Sequence, residues 1–357
     1  MTTENASAPN GGKLAASEIA KFTMYTEIFG NRERAELAMH HPLLNETEVL
    51  QTRPIRDLFK TVKLHVMLHE TGCCFSAPSG SGKSTALEML VALLHMQLPG
   101  LPVYMHLTLN HQIPSIRAFF KHFLVTVNHP ERKGETSDIR QRVVDCIVDD
   151  ARISGFDMAV LIIDEAQAMS FQDFKFLKDI GNQLRDKHVS LIPVLMGQHP
   201  EMEEVREGLK RNRGLHLIAR FCMHITPFSS FDREDDLVEI MRGIDHTCYP
   251  TGSEISWTAF FLPLAWQHGF RIENEAHNFM LAILDAAPSG AKGTFCFPAR
   301  QTFFAIRRFL LSVSRLDGPD FRVPPDAWQV AVFDAGLDEA MRLIHSERPE
   351  SNPNVET

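Results

Sequence analysis

The sequence has no hydrophobic run long enough to cross a membrane. A membrane-spanning helix takes about 18 or more mainly apolar residues, and no stretch of the 357-residue chain approaches that length. The N-terminal residues also lack the basic segment followed by an apolar segment that is typical of a secretion signal. We therefore expect a cytoplasmic protein without a membrane partner.

Cysteine is scarce and scattered. The chain has 6 cysteines, of which only Cys73 and Cys74 are adjacent, and it contains no Cys-x-x-Cys or His-Glu-x-x-His spacing. Such spacings are typical of metal sites and redox motifs, and regularly spaced cysteines are typical of disulfide frameworks. Neither a disulfide framework nor a zinc site is predicted.

Basic residues are fewer than acidic residues. The chain has 36 Lys and Arg residues against 45 Asp and Glu residues, which gives a net charge of −9 at pH 7. This charge argues against a generally basic nucleic-acid coat but leaves room for a local basic patch. With 44% hydrophobic and 23% charged residues, the composition is that of a soluble globular protein. Collagen-like and wholly disordered classes are excluded.

Short apolar runs alternate with helical patterns between about residues 71 and 226. This alternation predicts an α/β fold with a five-stranded parallel sheet between helices, its strands buried on both faces. Proline cannot donate to a sheet ladder, so either Pro193 lies at the start of the fourth strand or the predicted boundary of that strand is wrong. After Pro227 the strand signal stops, and five helices indicate a smaller all-helical domain. The predicted strands are 72–76, 103–109, 158–164, 191–197 and 221–226.

These patterns set the predicted boundaries. Residues 17–228 are expected to form the α/β domain with an N-terminal helical lead-in, and residues 229–345 the helical domain. The polar ends, residues 1–16 and 346–357, bury too little apolar surface to order themselves. We expect both ends to be disordered tails.

The strongest motif is Ala77-Pro-Ser-Gly-Ser-Gly-Lys-Ser-Thr85, which follows an apolar strand and precedes a helical run. This is a phosphate-binding loop in its required context. Its two glycines let backbone N–H groups point at a phosphate, Lys83 reaches the β- and γ-phosphates, and the Ser84 hydroxyl is a ligand for Mg²⁺. Ala77 departs from the usual glycine at a position where a small residue still fits. The residues predicted to bind the nucleotide are Ser79, Gly80, Ser81, Gly82, Lys83, Ser84 and Thr85.

An acidic pair ends the third predicted strand, within Ala159-Val-Leu-Ile-Ile-Asp-Glu-Ala-Gln167. Asp164 is predicted to anchor Mg²⁺ and Glu165 to polarise the attacking water. Without the phosphate-binding loop, the same pair would indicate a solvated helix cap. Together the two motifs predict ATP binding. Hydrolysis also needs a positioned water, which can require a neighbouring subunit to complete the site.

Further polar candidates follow the fourth strand and occupy the helical domain. Gln198 is placed to contact the γ-phosphate or to orient the water, and a solvent-facing loop amide is the alternative. Arg220, and after it Arg213, is a candidate for a guanidinium supplied in trans to a neighbour's phosphate. One of four arginines in the helical domain is a candidate to fold back to the nucleotide: Arg300, Arg307, Arg308 and Arg315.

These features together resemble AAA+ ATPases, and among them the TnsC and TniB regulators of transposition. The resemblance covers about residues 54–228 and includes Gly197-Gln198 and Ala-Arg220-Phe before a strand ending in Pro-Phe228. It implies an AAA+ core with a helical lid, and ATP and Mg²⁺ as cofactors. It also implies rings or filaments of the chain on duplex DNA, with Arg220 reaching a neighbour's nucleotide and with a transposase and target-selection proteins as partners.

Basic residues on the helix after the second strand are the candidates for DNA binding. Arg117 and Lys121 would contact phosphates without reading sequence, and the affinity would fall steeply with salt. Arg132 and Lys133 are weaker candidates, because two glutamates flank them and offset their charge. A solvated charged face is the alternative for all four.

Two other functions stay open at this point. A helicase loader or replication initiator would ordinarily carry a winged-helix DNA reader after the lid, and the C-terminal region shows no clear strand hairpin. A nucleotide-gated scaffold would switch its oligomeric state with ATP and turn over negligibly. The Glu165→Gln substitution separates the scaffold from the transposition regulator, because it should trap a DNA-bound assembly of the regulator and change little in the scaffold.

Overall fold

Five parallel strands form one sheet in the order β2-β3-β4-β1-β5. The computed structural model describes residues 16–108, 115–228, 231–287 and 296–346. Of the predicted tails, only Ala16 and Ser346 fall inside these ranges, and each lies in a helix. The five-stranded sheet confirms the predicted α/β class. The strands are β1 Cys73–Ala77, β2 Val103–Leu107, β3 Met158–Asp164, β4 Ser190–Gln198 and β5 Ile225–Pro227.

Only the third strand has the predicted bounds. Those of β1, β2 and β4 differ by one or two residues, and two larger differences have a physical reason. The fifth is shorter than 221–226, because Phe221 lies in a π-helical turn, Ile218–Cys222, where its ring packs 5.8 Å from that of Phe174. Pro193 lies inside β4 rather than at its start. It pairs with Leu161 of β3 and precedes by one residue the first pair with β1, so the ladder on the β1 side begins only after the proline.

Helices cover both faces of the sheet. On one face α4 and α5 bury an apolar stripe that includes Leu58, Val62 and Leu90. On the other face α6 to α9 enclose a second core that includes Phe120 and Phe174. The three central strands, β1, β3 and β4, are almost entirely buried because both faces are covered there. The prediction that every strand is buried on both faces fails at the edges, where β2 and β5 keep exposed residues. The helices are α4 Arg53–Leu68, α5 Lys83–Gln97, α6 Ile116–Thr126, α7 Thr136–Ser154, α8 Phe171–Asp186, α9 Glu201–Arg211 and α10 Leu215–Leu217.

A third core belongs to the helices at the two ends of the chain. The N-terminal helices pack into it through side chains such as Tyr25, Phe29 and Leu43, so the first part of the predicted lead-in joins the helical region. The helices are α1 Ala16–Phe29, α2 Arg32–Ala38, α3 Pro42–Asn45, α11 Glu234–His246, α12 Trp257–Phe261, α13 Pro263–Gln267, α14 Ala276–Ala286, α15 Ala299–Val313, α16 Ala327–Asp334 and α17 Leu337–Ser346.

Ion pairs join the sheet region to the helical region. Arg53, at the start of α4, donates to Asp236 at 2.6 Å and to Asp232 at 2.9 Å, at the start of α11. One turn further along α4, Arg56 pairs with Glu239. After Pro227, the described residues contain isolated β-bridges, and none of them belongs to a strand of several residues. None of the helices within the described ranges is long and apolar enough to cross a membrane.

Candidate active site

The loop between β1 and α5 has the backbone that its glycines predict. Gly80 and Gly82 take φ values of +74° and +85°, a region that side chains disfavour. A Cβ on Gly82 would also lie 3.4 Å from the Cβ of Ala299, so the loop and the helical region approach closely here. The Ser81 hydroxyl donates to the Pro78 carbonyl at 2.8 Å and closes the turn.

Lys83 opens α5 and folds back over this loop. Its side chain is buried, and its Nζ donates to the carbonyls of Ala77 at 3.3 Å and Pro78 at 3.1 Å. A lysine ammonium in this position carries a positive charge at a helix start, where the backbone already favours an anion.

The carboxylate of Asp164 meets the loop at the end of β3. Its Oδ2 accepts the hydroxyl proton of Ser84 at 2.8 Å, and its Oδ1 accepts the backbone N–H of Glu165 at 2.9 Å. Asp164 is buried, so this contact is shielded from solvent. The structure thus brings together the hydroxyl and carboxylate oxygens predicted to bind Mg²⁺. Among the described residues, no three or more His, Cys, Asp and Glu side chains form a metal-binding group.

Gln167 links the other two predicted residues. Its amide nitrogen donates to the Glu165 carboxylate at 2.5 Å, and its amide oxygen accepts the backbone N–H of Gln198 at 3.0 Å. Glu165 itself takes a positive φ of 53°. The Gln198 side chain donates to Glu201 at 3.3 Å. Gln167 belongs to the predicted acidic motif, but the motif predicts no role for it, because its role depends on a contact with β4 that leaves no local signal in the sequence.

One cavity of about 450 Å³ gathers most of these groups. All residues from Ser79 to Thr85 line it, together with Glu165 and Gln198. A volume of this size suits a small-molecule ligand. Much of the remaining wall is apolar or aromatic and comes from both regions: Val49, Leu50, Ile55, Phe228, Phe231, Trp257 and Phe303.

Helix α15 contributes two arginines to the same cavity. The backbone N–H of Arg300 lies 3.4 Å from the Gly80 carbonyl, and Arg307 lines the cavity two turns later. The guanidinium of Arg307 pairs with Glu46, which follows α3. Arg308 instead pairs with Asp334 at 3.8 Å, and neither it nor Arg315 lines the cavity.

Arg220 lies away from this cavity. Its guanidinium donates to Asn182 on α8 at 2.7 Å, beside Gly181. Burial, together with the nearby charge of Arg185, lowers the pKa of Arg220 from its ordinary value. Within one chain the structure therefore does not bring Arg220 to the phosphate-binding loop.

The two residues predicted to bind DNA are also separate from the cavity. Arg117 and Lys121 are exposed on α6, whose opposite side buries Phe119, Phe120 and Phe123. The structure leaves both charges free of the apolar core, as binding to a phosphate backbone would require.

Comparisons with known proteins agree on the fold. Residues 67–205 match a family described as an AAA domain. The structure resembles that of the Aeropyrum pernix ORC2 protein in its ADPNP–ADP complexes, with a TM-score of 0.53 and 14% identity over 83% of this chain and 71% of that chain. Weaker likenesses include domain III of the Thermotoga maritima replication initiation protein DnaA, with a TM-score of 0.44 and 15% identity over 82% and 97% of the two chains.

The A. pernix ORC1 protein in complex with DNA gives a TM-score of 0.45 and 13% identity over 84% and 70%. No curated protein matches the chain. At these identities the structural likeness concerns the fold alone, and only the first of the three scores exceeds 0.5. The chain therefore has the AAA+ fold, and its residues 67–205 match an AAA domain.

Proposed function

We propose that this chain is an ATPase that binds ATP and Mg²⁺ in the cavity lined by residues 79–85. The observation that carries the proposal is the 2.8 Å hydrogen bond between Ser84 and Asp164 beside the glycine-rich loop. A hydroxyl and a carboxylate oxygen are ligands that Mg²⁺ prefers. When bound there, Mg²⁺ supplies positive charge against the phosphates.

The chain's own residues account for binding and for activation of water. Lys83 would leave the carbonyls of its loop and pair with the β- and γ-phosphates, while backbone N–H groups hold the β-phosphate. Glu165 would accept a proton from the attacking water as general base. Gln167 would orient this carboxylate, since it already contacts Glu165 and the backbone of Gln198. Arg300 would approach the phosphates from α15.

We further propose that hydrolysis depends on assembly. Arg220 lies beside Asn182, outside its own cavity, so its predicted role in stabilising phosphate charge requires a neighbouring copy of the chain. Arg117 and Lys121 would bind duplex DNA through its phosphates. The proposed partners are therefore DNA and a homo-oligomer, arranged as a ring or a filament.

For the biological role, we propose an ATP-dependent regulator of transposition that links target DNA to a transposase. The support is the motif resemblance to the TnsC and TniB proteins. A replication initiator or helicase loader is the second candidate, supported by the fold shared with the A. pernix ORC2 protein.

Glu165→Gln tests this function. With ATP and duplex DNA, we expect the variant to form rings or filaments that persist in negative-stain microscopy, while phosphate release falls by about 100-fold or more, because the general base is lost. Glu88→Gln is the matched control, since Glu88 lines the same cavity from α5 and has no proposed role. If the variant forms the same particles with and without DNA and releases phosphate at the parent's rate, the chain would instead be a nucleotide-gated scaffold.

A further inference from the structure

Helix α15 begins at the cavity with Ala299 and then presents one face to it. Arg300, Phe303 and Arg307 line it, at spacings of three and four residues, which place them above one another on a helix. The first of these residues touches the phosphate-binding loop through its backbone N–H. Seven residues at 1.5 Å each carry the helix about 10 Å further before Arg307 is reached. Arg307 therefore lies toward the end of the cavity that is remote from the loop.

A second chain segment forms the facing wall at that end. Glu46, Glu48, Val49 and Leu50, between α3 and α4, all line the cavity. Glu46 takes a positive φ of 55° as it ends α3, and its carboxylate pairs with the Arg307 guanidinium. This pair is a direct polar link between the segment and α15.

The exposures of the two partners differ in an informative way. The Arg307 side chain is 11% exposed, whereas that of Glu46 is 65% exposed. A pair that is open to solvent on one side contributes little to folding stability. The pair lies at the edge of a ligand-sized cavity, so we look for its role in ligand binding rather than in folding stability.

We infer that Glu46 and Arg307 clamp the nucleoside end of a bound nucleotide between α15 and the segment 46–50. The inference rests on the proposed function, because it assigns the cavity to a nucleotide whose phosphates lie on residues 79–85. The base then lies beside Phe303, Val49 and Leu50, an apolar surface suited to a flat ring. Arg307 is a binding residue at this end, and Glu46 is a positioning residue that holds its guanidinium across the ligand.

The test compares ligands that share phosphates but differ in the nucleoside. Dissociation constants for ATP, ADP and inorganic triphosphate are measured for the full chain by competition against an ATP analogue labelled through its γ-phosphate. We expect Arg307→Ala and Glu46→Gln each to raise the dissociation constants of ATP and ADP by about fivefold, mainly through faster dissociation. Inorganic triphosphate should bind unchanged, because it has no nucleoside to clamp.

Two further variants sharpen the test. The reversed pair E46R/R307E should recover affinity to within about twofold of the parent if the ion pair itself matters. Arg308→Ala is the matched control: it removes the next arginine of α15, which pairs with Asp334 outside the cavity, and should change no affinity. Glu46→Gln alters an exposed side chain, so its result stands even if the Arg307 variants fold poorly.

Each contrary result has a definite meaning. Equal weakening of inorganic triphosphate would make Arg307 a phosphate ligand and overturn the clamp. Unchanged affinity in Glu46→Gln would overturn it as well, because the pair would then have no part in binding. A parent chain that binds neither ATP nor ADP would refute the proposed function itself, which is a separate and recognisable failure.

Discussion

Gly181 on α8 gives a way to move Arg220 without mutating it. A Cβ at this position would lie 2.6 Å from a terminal nitrogen of Arg220, so Gly181→Ala must displace the guanidinium from Asn182. If Arg220 acts on a neighbour's nucleotide, we expect phosphate release stimulated by assembly to fall, while the rate of the dispersed chain stays unchanged. Steady-state phosphate release at low and high protein concentration measures both rates.

Gly208→Ala is the control, because Gly208 also lies in a helix and a Cβ there would meet no atom within 4 Å. It should raise the free energy of unfolding by about 0.5–1 kcal/mol, the usual gain for alanine over glycine in a helix. Gly181→Ala should gain less, since Arg220 must move. Equal stimulated rates in both variants would contradict a role for Arg220 in trans.

At the residue scale, the sequence predicts groups that are contiguous or that close a strand. The residues from Ser79 to Thr85 lie on one cavity because a single loop carries them. Asp164 reaches Ser84 because the ends of parallel strands meet at one edge of the sheet. The pair of Glu46 and Arg307 could not be predicted, because the two residues are separated by 261 positions and follow no motif.

Among the elements, α4 and α11 are joined by the buried pair of Arg53 and Asp236. Burial raises the pKa of Asp236, but hydrogen bonds from Arg53 and from the backbone of Asp232 and Arg233 outweigh it, and the pKa lies below its ordinary value. Because the folded pKa is lower than the unfolded one, the contribution to stability is complete above about pH 3.9. It is lost as the pH falls through the folded pKa.

Arg53→Met should therefore lower the free energy of unfolding by about 3 kcal/mol at pH 7, because it leaves a buried carboxylate without its counter-charge. The difference from the parent chain should shrink at pH values below about 4, where the carboxyl becomes protonated. Urea unfolding of the parent and the variant at pH 7 and at a pH below about 4 measures this difference in the free energy of unfolding. Arg56→Met, whose partner Glu239 is more exposed, should cost less than about 1 kcal/mol. A constant difference at all pH values would contradict this account.

The elements also show where local patterns fail. The third strand, Met158–Asp164, has the predicted bounds because every one of its residues is buried. The start of the fifth predicted strand was wrong, because an apolar run fits a π-helical turn as well as a strand. The helical pattern over residues 257–268 predicts one helix, but the structure interrupts it before Pro263. The pattern over residues 325–344 also predicts one helix, and the structure interrupts it at Gly336, whose φ is +61°.

On the scale of the whole molecule, three apolar cores explain how the cavity is assembled. Two cover the sheet and fix the loop, Asp164 and Glu165. The third joins the N-terminal helices to the C-terminal ones and carries the opposite wall. Sequence patterns predicted the helices of this region but not their union, because packing between segments that are more than 200 residues apart leaves no periodic signal.

The most direct test of this account is calorimetric titration of the chain with a slowly hydrolysed ATP analogue and Mg²⁺. We predict saturable binding with one nucleotide per chain, and loss of that binding in Lys83→Ala, which removes the buried ammonium at the start of α5. Matched circular dichroism spectra would show that the variant is folded. Absence of binding in the parent chain, or equal binding in Lys83→Ala, would contradict the assignment of this cavity to ATP.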